Sequence, residues 1–375
     1  MIKEFRQLLA WSARFTTPQH ALLLPIQSVA SARHLLPLAR LANEMGIDAR
    51  YTLSRRIGSG ESGPSIRTDF NTCAREVDSV QAHRHRWTLV VVADHGHFRT
   101  LLPTSSPVIH IGHGSPSKTG PRDQHLPWEY GMAPRRRNRE VAYREMIEAS
   151  DQVRAELVRT EPSLAGRIHV LGRLLDDEML EAATDRTRML QTLQLDPDKP
   201  ILMVASTIRS SSLFGRYWDV MLPQLRPLAN RYQVVLCPHP NEHAMWKARL
   251  GEESGMLMSG PEQSAENVLA VAQALVVDFS SLSHKASLLD VPMVLSHCDP
   301  LPVWSKGATA RLYKVWPQWD GSVALETCLR EAEAMRGHPA TQAVKEWVNS
   351  RPGQARRHFA GLLAEYFPAA RSIDA

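Results

Sequence analysis

The chain has 375 residues, of which 43% are hydrophobic and 22% charged, a composition that excludes bulk disorder, collagen and coiled coil. That length exceeds one ordinary core and points to two domains of about 180 residues each. Lys and Arg number 44 against 39 acidic residues, a net charge of +5; the surplus is too thin for a nucleic-acid reader and suits an anionic substrate or an acidic membrane surface.

The four cysteines, Cys73, Cys237, Cys298 and Cys328, lie far apart with no CxxC pair. That spacing argues against a disulfide framework or zinc ribbon and for a reducing cytosol. No apolar run approaches the roughly 18 residues that a bilayer span needs. The N-terminal stretch is amphipathic, carries Arg6 and Arg14, and lacks the apolar core and cleavage site of a signal peptide. The expected location is cytoplasmic, with peripheral contact at the cytoplasmic face of the membrane.

In chain order, His20–Ile26 reads as a strand buried on both faces. Leu35, Leu36, Leu38, Leu41 and Met45 recur at helical spacing, and Gly46 closes that helix. Tyr51–Leu53 opens a second extended run, and Trp87–Ala93 and Val108–Ile111 are further buried strands. Residues 139–160 read as a helix with Val141, Met146, Ile147 and Val153 on its apolar side, followed by a strand at Ile168–Leu171. The polar stretch Asp185–Pro200 reads as a linker. Strands at Ile201–Ala205, Tyr232–Cys237, Leu275–Asp278 and Pro292–Leu295 then alternate with helices at Tyr217–Ala229, Glu266–Ala274 and Leu282–Leu289. Residues 353–368 form a last amphipathic helix. Alternation of this kind implies parallel sheets with right-handed crossovers, hence doubly wound α/β domains.

Several strand ends carry chemistry-bearing residues. Gly58-Ser-Gly-Glu-Ser-Gly63 fits the dinucleotide fingerprint, but it follows the second strand, and Pro64 with no helical apolar spacing makes a mobile loop the reading. His113-Gly-Ser-Pro-Ser-Lys-Thr-Gly120 directly follows a strand, where doubly wound folds gather ligands. Gly114 admits close approach, Ser115 and Lys118 suit phosphate, and His113 can exchange a proton near neutral pH. A Gly/Pro-rich surface turn explains the same residues. In Cys237-Pro-His-Pro-Asn241 two prolines stiffen the backbone around His239, either for catalysis or as a turn. Asp278-Phe-Ser-Ser281 ends a strand and opens a helix, where Ser280 and Ser281 make either an anion site or an ordinary cap. Arg209 is a phosphate clamp or a solvated arginine. His95-Gly-His97 lacks a third metal ligand at useful spacing. Arg135-Arg-Arg137 with Arg139 is a solvated face or a meeting point for anionic polymer and lipid.

Together these segments resemble the CDP-glycerol glycerophosphotransferase family of teichoic-acid and capsule synthesis. Four family signatures come in order across residues 85–300: His113-Gly-Ser-Pro-Ser-Lys118 with Gly120, Ala205-Ser-Thr-Ile-Arg209, Pro238-His239-Pro240, and Asp278-Phe-Ser-Ser281 with Leu288-Leu-Asp-Val-Pro292. Gly172-Arg-Leu-Leu-Asp-Asp177 departs from the family's G-Y-P-R-N-D at Leu174 and Leu175. Lys285 stands where the family carries an acid.

The resemblance implies a GT-B-like fold: two Rossmann-like doubly wound domains with a cleft between them and a C-terminal crossover helix. The expected division is an acceptor domain over 1–185, a nucleotide-donor domain over 186–350, and a helix over 351–375 that packs back on the first domain. It further implies a CDP-alcohol such as CDP-glycerol as donor, a polyol-phosphate or glycan hydroxyl as acceptor, and no nucleic-acid partner. His113 and His239 become the catalytic residues. Gly114, Ser115, Lys118, Arg209, Ser280 and Ser281 become phosphate ligands, with Thr207, Asp278 and Asp177 in support. None of these four segments contains an Asp-x-Asp motif, so neither metal nor other cofactor is expected. Two rivals stand beside this reading: a GT-B glycosyltransferase using a CMP- or UDP-linked sugar, and a non-catalytic GT-B binding module, which Lys285 and the lost proline–arginine pair favour.

Overall fold

The computed structural model describes residues 18–60, 62–94, 106–112, 143–207, 211–251, 255–260, 263–297 and 308–372. Within them the chain divides into two compact units: one runs to Asp177 and takes back Arg351 onward, and the other is Glu178–Ser350.

The first unit contains β1 (Pro18–Ile26), α1 (Val29–Glu44), β2 (Ala49–Leu53), α2 (Arg55–Gly58), α3 (Gly63–Phe70), β3 (Arg75–Glu76), α4 (Ser79–Arg84), β4 (Arg86–Val92), β5 (Val108–His110), β6 (Glu145–Glu148), α5 (Asp151–Thr160) and β7 (Ile168–Val170). Its strands form one parallel sheet in the order β3-β2-β1-β4-β5-β6-β7. Chain direction across the sheet reverses at the β1/β4 boundary, the topological switch point where open α/β sheets gather ligands. The core sits beneath α1, whose Leu35, Leu38 and Leu41 meet Leu22, Leu24 and Ile26.

A helix, α6 (Leu174–Thr184), spans the division between the units. The second unit continues with α7 (Arg186–Leu193), β8 (Ile201–Ala205), α8 (Leu213–Leu228), β9 (Gln233–Cys237), α9 (His243–Leu250), β10 (Leu257–Met258), α10 (Ala265–Val271), β11 (Ala274–Val277), α11 (Ser281–Leu288), β12 (Met293–Ser296), α12 (Ala308–Val315), β13 (Gln318–Trp319), α13 (Leu325–Ala334) and α14 (Pro339–Val348). Its parallel sheet runs β10-β9-β8-β11-β12-β13, which puts the switch point between β8 and β11. Apart from the additional edge strand β7 of the first sheet, the two sheets repeat one topology. The last helix, α15 (Ala355–Tyr366), belongs to the first unit, where Ala355, Phe359 and Leu363 join the core.

Three expectations need correction. Residues 145–148 are strand rather than helix, because Met146 and Ile147 are buried in a sheet position between β5 and β7. Among the described residues of that stretch helix begins at Asp151, where the Ser150 hydroxyl accepts from the Val153 N–H. The supposed linker holds α7, capped by Asp185 and anchored by buried Leu190 and Leu193 in the second unit's core. The Gly58–Gly63 segment is no simple loop: Gly63 opens α3, which buries Ile66 and Phe70. A Cβ on Gly63 would stand 2.7 Å from the Ile57 carbonyl oxygen, so close turn-to-turn packing accounts for the glycine.

Candidate active site

In the second unit, strand register carries the sequence motifs to one edge. Ala205 of β8 pairs with Cys237 of β9 on one side and Val277 of β11 on the other. The chain therefore leaves all three strands from a common row, toward Thr207, His239 and Asp278.

Asp278 is fully buried. Its Oδ2 accepts from the Thr207 N–H at 2.8 Å, the Thr207 hydroxyl at 2.9 Å and the Leu213 N–H at 3.1 Å. Leu213 is the first residue of α8, whose cap Ser212 accepts from Gly215. A carboxylate beside a helix N-terminus offsets the positive end of the dipole. One side chain thus ties down both ends of the segment carrying residues 208–210. Arg209 lies outside the described residues, but the anchors on either side of it are in place.

The start of α11 is built differently. Ser280 has extended backbone and its hydroxyl accepts from the Leu282 N–H at 3.3 Å, while its own N–H donates to the Asp278 carbonyl at 2.7 Å. Ser281 is the first helical residue and is partly exposed. The first turn of α11 carries no acidic residue. By contrast, Asp278 occupies the start of α8, and Glu266 stands in the first turn of α10.

His239 is the second residue past β9. Its Nδ1 accepts from the Asn241 N–H at 3.2 Å, and its carbonyl accepts from the Glu242 N–H at 2.9 Å. An imidazole whose Nδ1 accepts holds its neutral-form proton on Nε2 and presents a donor there. Beneath it, burial pushes the Cys237 thiol up to about 12, which leaves that sulfur inert. Glu242 also accepts from the Trp246 indole at 3.1 Å, and the Trp246 ring meets Phe214 of α8 at 5.4 Å. The His239 turn is thereby packed to the helix that Asp278 anchors.

Lys285 is buried, and its Nζ lies 2.6 Å from the Glu266 carboxylate. The cation that departs from the family pattern is neutralised inside the unit, between α10 and α11. Lys285 therefore counts as a compensated packing change. Glu266, Glu242 and Trp246 stand in no sequence motif, since their roles depend on pairings that only the folded chain makes.

In the first unit, His113, Gly114, Ser115 and Lys118 lie outside the described residues, as do His95, His97 and Arg135–Arg137 with Arg139. The edge that leads to them is described. Val92 of β4 pairs with His110 of β5, so Asp94 and Gly112 leave adjacent strands together. The Asp94 Oδ2 accepts from the Ser28 hydroxyl at 3.1 Å, and that hydroxyl accepts from the Ser31 N–H to cap α1. Buried His110 stacks on buried Tyr143 with ring centroids 5.0 Å apart. Asp177 lies apart from this edge. Its carboxylate accepts from the Gly353 and Arg356 N–H groups at the start of α15, and burial holds it above the usual carboxyl range.

Among the described residues no group of three or more His, Cys, Asp or Glu side chains could hold a metal ion. Among them, too, no helix is long and apolar enough to cross a membrane.

The model of the family described as CDP-glycerol:poly(glycerophosphate) glycerophosphotransferase matches residues 88–301, more than half of the chain. No curated protein sequence matches it. A structure of the wall teichoic acid polymerase TagF is similar with a TM-score of 0.69 at 14% identity, over 97% of this chain and 93% of that one. The S. aureus MnaA–UDP structure matches with a TM-score of 0.58 at 12% identity, over 95% and 100%. The UDP-GlcNAc 2-epimerase from Neisseria meningitidis bound to UDP-GlcNAc matches at 0.56 and 13%, over 93% and 99%. The shared feature is the GT-B-like α/β fold with two parallel-sheet domains.

Proposed function

The chain belongs to the CDP-glycerol:poly(glycerophosphate) glycerophosphotransferase family, and from that premise we propose that it moves glycerol phosphate from CDP-glycerol to a hydroxyl of a cell-wall polymer, releasing CMP. The observation that carries the assignment of the donor to the second unit is the start of α11: a capped first turn free of acidic residues, on the same sheet edge as His239 and Thr207.

In this reading the acceptor oxygen attacks the β-phosphorus of CDP-glycerol. A new P–O bond forms, the bond from that phosphorus to the bridging oxygen breaks, and CMP leaves with the bridge. His113 takes the proton of the attacking hydroxyl. His239 donates from Nε2 to the diphosphate, Ser280 and Ser281 present the α11 terminus, and Arg209 adds fixed positive charge. Asp278 and Thr207 hold the segment that bears Arg209. Lys118, Ser115 and Gly114 contact phosphate from the first unit, whose role is to bind the acceptor. Fixed cations and N–H groups carry the charge without a metal, and the arginines at 135–139 give peripheral contact with an anionic membrane face.

The test is CMP release from CDP-glycerol in the presence of EDTA, beside CMP- and UDP-linked sugars as competing donors. The expected result is turnover with CDP-glycerol alone, reduced at least 100-fold by His113→Ala and by His239→Ala, within the usual span of acid–base contributions of about 10²–10⁴-fold. Turnover confined to a nucleotide sugar, or near-normal rates in both variants, would overturn the proposal.

A further inference from the structure

The β1/β4 switch point of the first unit carries a carboxylate to which the mechanism above gives no task. Asp94 is the second residue past β4, and it meets Ser28 in the turn between β1 and α1. The pair thus bridges the crevice that the sheet order creates. The equivalent carboxylate of the second unit, Asp278, is fully buried among N–H and hydroxyl donors of its own chain. Asp94 and Ser28 are each only partly buried. The adjoining Tyr143 is wholly buried, and its phenol is pushed up first by burial and then by the negative charge of Asp94.

A fixed carboxylate at this position has a chemical consequence. In nucleotide-binding sheets the crevice and the neighbouring helix N-terminus receive phosphate. Here the α1 terminus already has Asp94 beside it, so a phosphate would meet a like charge. A hydroxyl would instead find a charged acceptor, with bonds roughly twice as strong as neutral ones.

We infer that Asp94, oriented by Ser28, is a binding residue for the hydroxyl-bearing terminus of the polyol acceptor, and that it selects a hydroxylated end over a phosphorylated one. The inference rests on the acceptor role proposed for the first unit, and it can be tested without turnover. The probe is a synthetic glycerol-phosphate oligomer with a free glycerol end, measured by calorimetry against the full chain. Its counterpart, phosphorylated at that end, is the control.

The expected result is that Asp94→Asn weakens binding of the hydroxyl-ended oligomer at least tenfold, that Ser28→Ala weakens it severalfold, and that the phosphorylated oligomer binds the original protein more weakly. In the CMP-release assay the acceptor KM should rise to match while the donor KM moves less than twofold. Equal affinity of Asp94→Asn and the original protein for the hydroxyl-ended oligomer would overturn the inference, as would no preference between oligomers or parallel changes in both KM values. Should CDP-glycerol prove not to be the donor, the binding measurement still decides the role of Asp94. If Asp94→Asn does not fold, Ser28→Ala decides it by the same isotherms.

Discussion

In both units a carboxylate from beside the switch point reaches the turn that follows the unit's first strand: Asp94 meets Ser28, and Asp278 meets Thr207 and Leu213. The two sheets share one strand order over six strands, so these positions correspond. Their environments differ. Asp278 is buried and serves as an internal anchor, whereas Asp94 keeps part of its surface in solvent. The same topology thus supplies a buried internal anchor in one unit and a partly exposed carboxylate in the other. In the second unit the proposed anion site lies one helix along, at the start of α11.

The strongest challenge to that arrangement is the buried pair beneath α11. Lys285→Ala strands Glu266 as a buried charge, and the expected loss is about 3–5 kcal/mol of stability by denaturant unfolding. Lys285→Glu combined with Glu266→Lys should recover most of it. A single variant as stable as the parent would remove the pair from the account.

The next effect separates the two carboxylates. Asp278→Ala leaves the Thr207 and Leu213 N–H groups without their acceptor, at about 1–3 kcal/mol each. Asp94→Ala should cost less than about 1 kcal/mol, since the Ser28 cap on α1 survives it. Equal destabilisation in the two variants would erase the contrast between the two carboxylates.

A comparably small stability change is expected at Ser280. Loss of its cap in Ser280→Ala should cost about 1 kcal/mol, accompanied by a rise in donor KM with acceptor KM unmoved. A stability change without any donor effect would reduce Ser280 to a plain helix cap.

Much of the second sheet was legible in the sequence because β8, β9 and β11 are buried on both faces and read as near-continuous apolar runs. The positions of His239, Asp278 and Ser280 at strand ends followed directly. β6 was not legible, because Met146 and Ile147 fit a helical stripe as well as a strand and only pairing with β5 and β7 decides between them. α7 hid in a polar stretch that buries little beyond Leu190 and Leu193. Strands of two residues, such as β10 and β13, leave no periodicity to detect. Ser28 and Asp94 are 66 residues apart, and Glu266 and Lys285 are 19 apart, so sheet order and helix packing alone bring each pair together. The lysine that looked like a lost acid was half of a new pair.

The most direct measurement is a crystal structure of the protein soaked with CDP-glycerol. The expected result is the diphosphate at the first turn of α11, within hydrogen-bond reach of Ser280 or Ser281 and of His239 Nε2, with the start of α8 still occupied by Asp278. A diphosphate seated instead in the β1/β4 crevice beside Asp94, or displacing the Asp278 carboxylate from Leu213, would contradict it.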